Sequence, residues 1–400
     1  MTIDWALLLE WLIKAAVSSF VLLTGFAYMT FAERKVAALF QTRIGPNRAG
    51  PFGFLQPAAD GIKVIFKEEL IPAGADKFIF LLAPIITVVP ALVILAVVPW
   101  GPTVTIACCQ ISIPALNFTV GQPYFSRDVL LGFADLNVGM LYILSVASIA
   151  VYGVVLAGWS SNNKYAMLGG IRSTAQMVSY ELALGLSVVG PLMLAGSMSM
   201  TDIINAQKSA PFILLQPVAA LIFYIAVLAE VNRAPFDMPE AEQELTAGYH
   251  TEYSGMKFSL FFMGEYIKMI GVSAIFVTLF LGGWRGPFMT DALLAQKPWW
   301  LGLLGMGYFW GKVAVSLFFM IWLRSTHPRL RYDRLMALGW KVLLPLSLAN
   351  VMVTAAALID LTLMWGVIGG LVAVGVVILL IRFAQARSRA AAPAARRMRA

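Results

Sequence analysis

Two cysteines, two histidines and a charged fraction of 12% are what this 400-residue chain has least of, and each scarcity closes off a chemistry. Cys108 and Cys109 are adjacent, with no further Cys or His at ligand spacing. They cannot hold an iron–sulfur cluster, which takes about four protein ligands. Any redox centre must therefore lie on a partner or arrive as a substrate. A phosphate loop is missing too: Gly45 and Gly50 have the right separation, but Pro51 stands where the lysine belongs. No period of about 20–50 residues repeats and the second half does not mirror the first, so the inverted repeat of many transporters is absent. Residues 1–10 carry Asp4 and Glu10, no basic cluster and no following A-x-A site. The first apolar run reads as a retained helix rather than a signal peptide.

What the chain has in abundance is apolar side chain, 60% of the total, gathered in runs of about twenty residues, enough to cross a bilayer core of about 30 Å. The expected fold is an all-α polytopic membrane protein. Hydropathy places nine spans, near 11–31, 79–99, 134–157, 175–195, 212–230, 258–282, 300–323, 342–359 and 361–381. They form a single transmembrane domain over 1–383, with long loops at 33–78 and 231–257, followed by a basic, disordered tail at 384–400. Lys and Arg fall mostly on one side of these spans, in segments 33–78, 160–172, 233–257, 324–341 and 382–399. Only Lys14, Arg127, Lys208, Arg285 and Lys297 lie opposite, while Lys268 and Lys312 fall inside spans. The positive-inside rule makes the basic side cytoplasmic, which puts the N-terminus outside and the C-terminus inside. The formal charge of +8 then reflects topology and contact with anionic lipid rather than nucleic acid.

In the loop 33–78, Ile62, Ile65 and Phe66 fall at i, i+3, i+4 from Ala58 onward, with Asp60, Lys63 and Lys67 off that face. This is the pattern of an amphipathic helix lying in the interface, either a plain anchor or the frame of a lateral doorway. In the second loop, PFDMPEAEQEL collects Asp237, Glu240, Glu242 and Glu244. Asp237, Pro239 and Glu240 suit a capped helix start. Glu240 and Glu244, i, i+4 on one face with no basic residue over 234–249, repel each other and favour protonation of one. The spacing lacks the glycine and alternating acids of a calcium loop, and no metal is expected.

Three more acids sit within spans: Glu181, Glu230 at the end of its helix, and Glu265, with Lys312 on a later helix. Such charges mark ion paths or polar cavities. Glu265 could instead pair with Lys268 at i+3 and Glu230 could be interfacial, but Glu181 has no local partner and is the strongest candidate for a buried titrating group.

The strings AERK, QTRIGPNRAGPFGFLQPAADGIKVIFKE, WSSNNKYAMLGGIRSTAQMVSYE, AEVNRAPFDMPEAEQELTAGYHTEYSGMKF, FFMGEYIKM and HPRLRYDRLM carry a family resemblance over residues 10–360. They resemble the H-type membrane subunits (mitochondrial subunit 1) of proton-pumping NADH:quinone oxidoreductase, respiratory complex I, in its bacterial form. The resemblance implies the membrane half of a quinone chamber that couples quinone reduction to proton translocation through a chain of carboxylates. Ubiquinone or menaquinone would enter as substrate past the first helix, the interfacial helix and the sixth helix. FMN and the iron–sulfur clusters, including the terminal one, would lie on partner subunits, so no redox-catalytic residue is expected in this chain.

Carried onto this sequence, the resemblance implies Arg34, Phe262, Arg324 and Asp237 in the quinone passage. It implies Glu240, Glu242, Glu244, Glu252, Glu230, Glu265 and Glu181 as a proton relay, with Arg329 and Arg331 organising the loop beneath. Partners would be the other membrane and peripheral subunits and membrane lipid, in a bacterial plasma membrane. The external loop 101–126 and the last span with its Arg-rich tail depart from the mitochondrial form. Two other readings compete: an ion-coupling subunit of a membrane-bound hydrogenase that uses no quinone, and a stand-alone cation/proton transporter built on the same carboxylates.

Overall fold

A computed structural model describes residues 5–107, 112–113, 118–119, 126–238, 246–289, 294, 299–360, 362, 364–366 and 368–370. The side chains of 5–10, 105–129 and 299 lie outside that description. So do Cys108, Cys109, Glu240, Glu242, Glu244, the expected helix start after Asp237, most of the span 361–381 and the tail.

The described chain is helical. It runs through α1 (Trp5–Phe40), α2 (Gln56–Ile65), α3 (Lys77–Ile94), α4 (Gly139–Ser160), α5 (Lys164–Ala195), α6 (Met200–Ala206), α7 (Phe212–Leu215) and α8 (Pro217–Glu230). Then come α9 (Gly255–Phe280), α10 (Trp299–Thr326), α11 (Tyr332–Leu338) and α12 (Leu344–Ile359). A π turn at Gly339–Leu343 joins the last two into one continuous span. Seven helices among the described residues are long and apolar enough to cross a membrane, with α8 as a shorter apolar helix, so the chain is a multi-pass membrane protein. Among the described residues, strand is confined to two small antiparallel ribbons, Thr103–Ala107 with Ser126–Leu130 and Ser112–Ile113 with Phe118–Thr119.

Local chemistry sets the helix ends. The Asp76 carboxylate accepts from the amides of Phe78 and Ile79 to start α3, and Asn163 accepts from Tyr165 to start α5. Gly196, at φ 66, closes α5 in the left-handed conformation that glycine adopts without strain. Close packing of α3 on α4 depends on Gly153, where a Cβ would collide with the Thr87 hydroxyl and stand 2.9 Å from the Ala83 carbonyl.

Two boundaries differ from the sequence expectation, both to the advantage of the site. The helix expected to stop near residue 31 runs on to Phe40, so Glu33, Arg34 and Lys35 stand on a rigid helix rather than in a loop. The span expected at 212–230 breaks at Gln216, and α8 has 14 residues, about 21 Å long. That is too short for a bilayer core, and the chain that follows stays inside the bundle: Val231, Asn232, Arg233, Phe236, Asp237 and Met238 are all buried. Irregular backbone at such depth has to be satisfied by protein. Gln176 of α5 does so, its amide donating to the carbonyls of Ala229 and Phe236 (both 2.7 Å) and to Asn232 Oδ1 (3.2 Å).

Candidate functional site

Where α1, α9 and α10 meet the loop after α1, they enclose a cavity of about 1200 Å³. Arg34, Phe262 and Arg324 line it, together with Glu33, Tyr266 and Arg48. Its floor is built by local ties. Lys35 donates to the carbonyls of Pro46 (3.1 Å) and Phe52 (3.0 Å), folding the Pro/Gly-rich segment back onto α1. Gly53, at φ 82, permits a turn so tight that a Cβ there would strike the Pro46 carbonyl. Arg34 bonds Asp60 of α2 at 2.8 Å. At 56% and 36% side-chain exposure that pair contributes under about 1 kcal/mol, so it orients α2 more than it holds it. Beyond it, α2 turns Ile62, Ile65 and Phe66 outward, all exposed, the apolar face expected of an interfacial helix.

Glu33 forms the inner wall of the cavity and is 6% exposed. Its carboxylate receives the Tyr266 hydroxyl at 2.6 Å, Arg233 at 3.3 Å, and the Arg324 guanidinium. Arg233 lies 4.1 Å over the Tyr266 ring and reaches on to Glu265 at 3.9 Å. Glu265 also accepts from the Tyr249 hydroxyl at 3.2 Å. One turn further along α9, Lys268 turns to Glu230 at 3.7 Å rather than to Glu265, its i−3 neighbour. Glu230 in turn feels the charge of Glu181, which bonds the Ser148 hydroxyl of α4. Three cations, Arg233, Arg324 and Lys268, thus stand among Glu33, Glu265 and Glu230, and they offset a desolvation cost that isolated charges could not meet.

The segment 246–254 closes this core from the side. His250 is buried against Tyr249, Phe258, Phe261 and Phe262, and its Nε2 has no hydrogen-bond partner among the described residues. Burial pulls the imidazole down to about 3, so it is neutral near pH 7. Tyr253 stacks on Phe80 at 4.0 Å, and burial, opposed by a bond to Ser160, pushes its phenol up to about 12. Both side chains act as uncharged packing that fixes the loop carrying Tyr249.

Of the residues singled out from sequence, Arg34, Phe262 and Arg324 meet at the cavity, and Glu265, Glu230 and Glu181 follow one another inward. Asp237 does not line the cavity; it is buried and paired with Arg329 at 2.8 Å. Glu252 accepts from Asn163 at 2.7 Å. Arg331 forms an exposed pair with Asp333 at 3.4 Å, just before α11. Sequence reasoning passed over Glu33, Arg233, Tyr249 and Tyr266, which join the two groups, and offered Lys268 only as a partner for Glu265, whereas it pairs with Glu230. No local signal marked them: the 14-residue length of α8, which leaves Arg233 buried three residues past its end, is a feature of the fold.

The model of the NADH dehydrogenase family matches residues 13–355. The NADH-quinone oxidoreductase H subunit numbered 1 in Geobacter metallireducens is 51% identical over 343 residues, 86% of this chain and 94% of the relative. The H subunit numbered 2 in Geobacter sulfurreducens is 52% identical over 341 residues, 85% and 94% of the two chains. The NADH-quinone oxidoreductase H subunit of Thermomicrobium roseum is 47% identical over 374 residues, 91% and 99%. The matched region takes in every charged residue from Glu33 to Arg331 described above, and the chain belongs to the NADH dehydrogenase family, alongside the bacterial NADH-quinone oxidoreductase H subunits.

Proposed function

We propose that this chain is the membrane subunit of a bacterial NADH:quinone oxidoreductase that forms part of the quinone chamber and transmits the charge change of quinone reduction to protonatable groups in the membrane. The observation that carries the reading is Glu33. It faces the cavity and is joined through Arg233 to Glu265, so a charge arising in the cavity is felt by the buried acids within two ion pairs. Quinone is the substrate; FMN and iron–sulfur clusters belong to partner subunits that close the chamber from the basic side. Arg34, Arg324 and Phe262 guide the head group, with the aromatic ring supplying an apolar wall and the guanidinium groups donating to quinone oxygens. Glu265, Glu230 and Glu181 share protons as a unit, as close acids do, and Glu240, Glu242, Glu244 and Glu252 extend the group toward the loop. Asp237, held by Arg329, orients that loop, and Arg331 caps the turn into α11. In the plasma membrane the N-terminus lies outside and the basic tail 384–400 follows the transmembrane domain on the cytoplasmic side.

The test separates electron entry from coupling. In the reconstituted complex, Glu265→Gln is expected to lower both quinone reduction and proton uptake while NADH oxidation by an artificial hydrophilic acceptor is unchanged. Full quinone reductase and pumping rates in Glu265→Gln would overturn the reading. Arg324→Ala is expected to weaken inhibitors that occupy the chamber, and unchanged inhibition would remove it from the passage.

A further inference from the structure

At the opposite, less basic end of the bundle lies a second hollow, about 760 Å³, walled by α7, α8, α9 and α10. It differs in kind from the charged cavity, for its walls are almost wholly apolar. It opens sideways between α8 and α10, where Leu221 is 60% and Val315 70% exposed. Three features of α10 set it apart from an ordinary gap between helices.

Gly307 and Gly311, one turn apart on its wall, leave the backbone bare, and a Cβ at either would meet nothing within 4 Å. Small residues at this spacing let a neighbouring molecule approach closely, and here nothing among the described residues takes the place. One turn deeper, Ser316 is buried at 5% exposure, and its hydroxyl has no hydrogen-bond partner among the described residues. Between them stands Lys312. Its ammonium donates to the carbonyls of Leu281 (2.6 Å), Gly283 (2.9 Å) and Arg285 (2.6 Å). Those partners are neutral, so they fix its position without cancelling its charge. Lys312 stands on the side of the bundle where Lys and Arg are scarce; Arg285, at the same end, lines a neighbouring hollow and donates to Asn205 at 3.2 Å.

We propose that this groove is the binding site of a phospholipid with an anionic head group, drawn from the leaflet at the less basic end. The order of groups along α10 matches the order along a lipid. Glycines leave room for the head group, Lys312 attracts the phosphate, and Ser316, about 6 Å deeper, donates to an ester carbonyl. An acyl chain then runs along Leu221, Tyr224 and Phe319. Charge complementarity selects the lipid: an apolar protein helix would bury the ammonium against nothing of opposite sign.

The experiment uses the intact purified complex, stripped of lipid in detergent and then exposed to vesicles of phosphatidylglycerol and phosphatidylcholine. Bound lipid is read by native mass spectrometry of the released subunit. The expected result is one retained phosphatidylglycerol, lost in Gly311→Leu, where the side chain fills the groove, and exchanged without head-group preference in Lys312→Gln. Retention at the parent level in both variants would overturn the site. Because either variant could fail to assemble, a photoreactive residue at Val315 in an otherwise unaltered chain gives an independent reading. A phospholipid adduct supports the site, whereas an adduct with another protein chain, or none, rejects it.

Discussion

Arg233 stands between two buried carboxylates and over an aromatic ring, and those contacts make different demands on it. Pairing with Glu33 and Glu265 needs a charge, but reaching both at once while lying flat on Tyr266 needs a planar fork. Arg233→Lys is therefore expected to preserve assembly and lower quinone reduction severalfold, whereas Arg233→Met leaves two carboxylates facing a lost cation. Breaking a buried pair in this way costs about 3–5 kcal/mol, and the Met variant should be recovered in reduced amount; equal yield and rate in the two variants would show that the fork is idle. His250 gives a residue-scale test by pH. Its folded value of about 3 lies below the ordinary 6.5, so below pH 6.5 the unfolded chain takes up a proton that the folded chain refuses. The stability it contributes is full above that value and is lost as pH falls toward 3. His250→Asn removes this dependence. The gap in thermal midpoint between parent and variant should be widest near about pH 7.5 and shrink by about pH 5; a gap constant with pH would mean that the ring is not excluded from protonation.

At the scale of elements, the site is made by two helices that end where the sequence pattern says they should not. Hydropathy finds apolar runs, and it marked α1 as ending at its first charges and α8 as filling the membrane. In α1, helix geometry continued through Glu33, Arg34 and Lys35 because each finds a partner on another element, a tertiary fact that no local pattern carries. In α8, Gln216 bonds Thr354 and Asn350 of α12, which fixes the break and shortens the helix. The acids within spans and the amphipathic α2 were legible because their signals are local: a charge among apolar residues, and a periodicity. The cations that neutralise those acids were not, since Arg233 meets Glu33 across 200 residues of chain. Contact between elements also yields predictions. Gly169 of α5 lets the segment around Gly248 approach so closely that a Cβ would lie 2.8 Å from the Gly248 Cα. Gly169→Ala should therefore displace Tyr249 from Glu265 and lower coupled activity more than a surface Gly→Ala change such as Gly61→Ala, where a Cβ meets nothing; identical effects would show that the contact is slack. At the end of α2, Phe66→Glu sets a charge on an apolar side chain that is 84% exposed. Rates with a long-tailed quinone should fall while those with a short, water-soluble analogue change little; a uniform fall would place α2 under a partner subunit instead.

On the scale of the whole molecule, the two ends of the bundle are built on different principles. The basic end gathers its charge inward, around Glu33, into a polar cavity. The other end keeps cations at the rim, with Lys312 tied to three carbonyls beside an apolar groove. The pairing of Glu33 with Arg233 and Arg324 also bears on how such a chain is made. The cations that satisfy the carboxylate on α1 lie on segments synthesised long after it. Until the ribosome has delivered them, Glu33 lacks the partners that surround it in the folded chain. That end of α1 is therefore incomplete until the later segments are made. A nascent chain arrested before Arg233 should be cleared by membrane proteases, and one arrested after Thr326 should persist. The ion pair at the cavity wall closes only when the helices that build the site are all present.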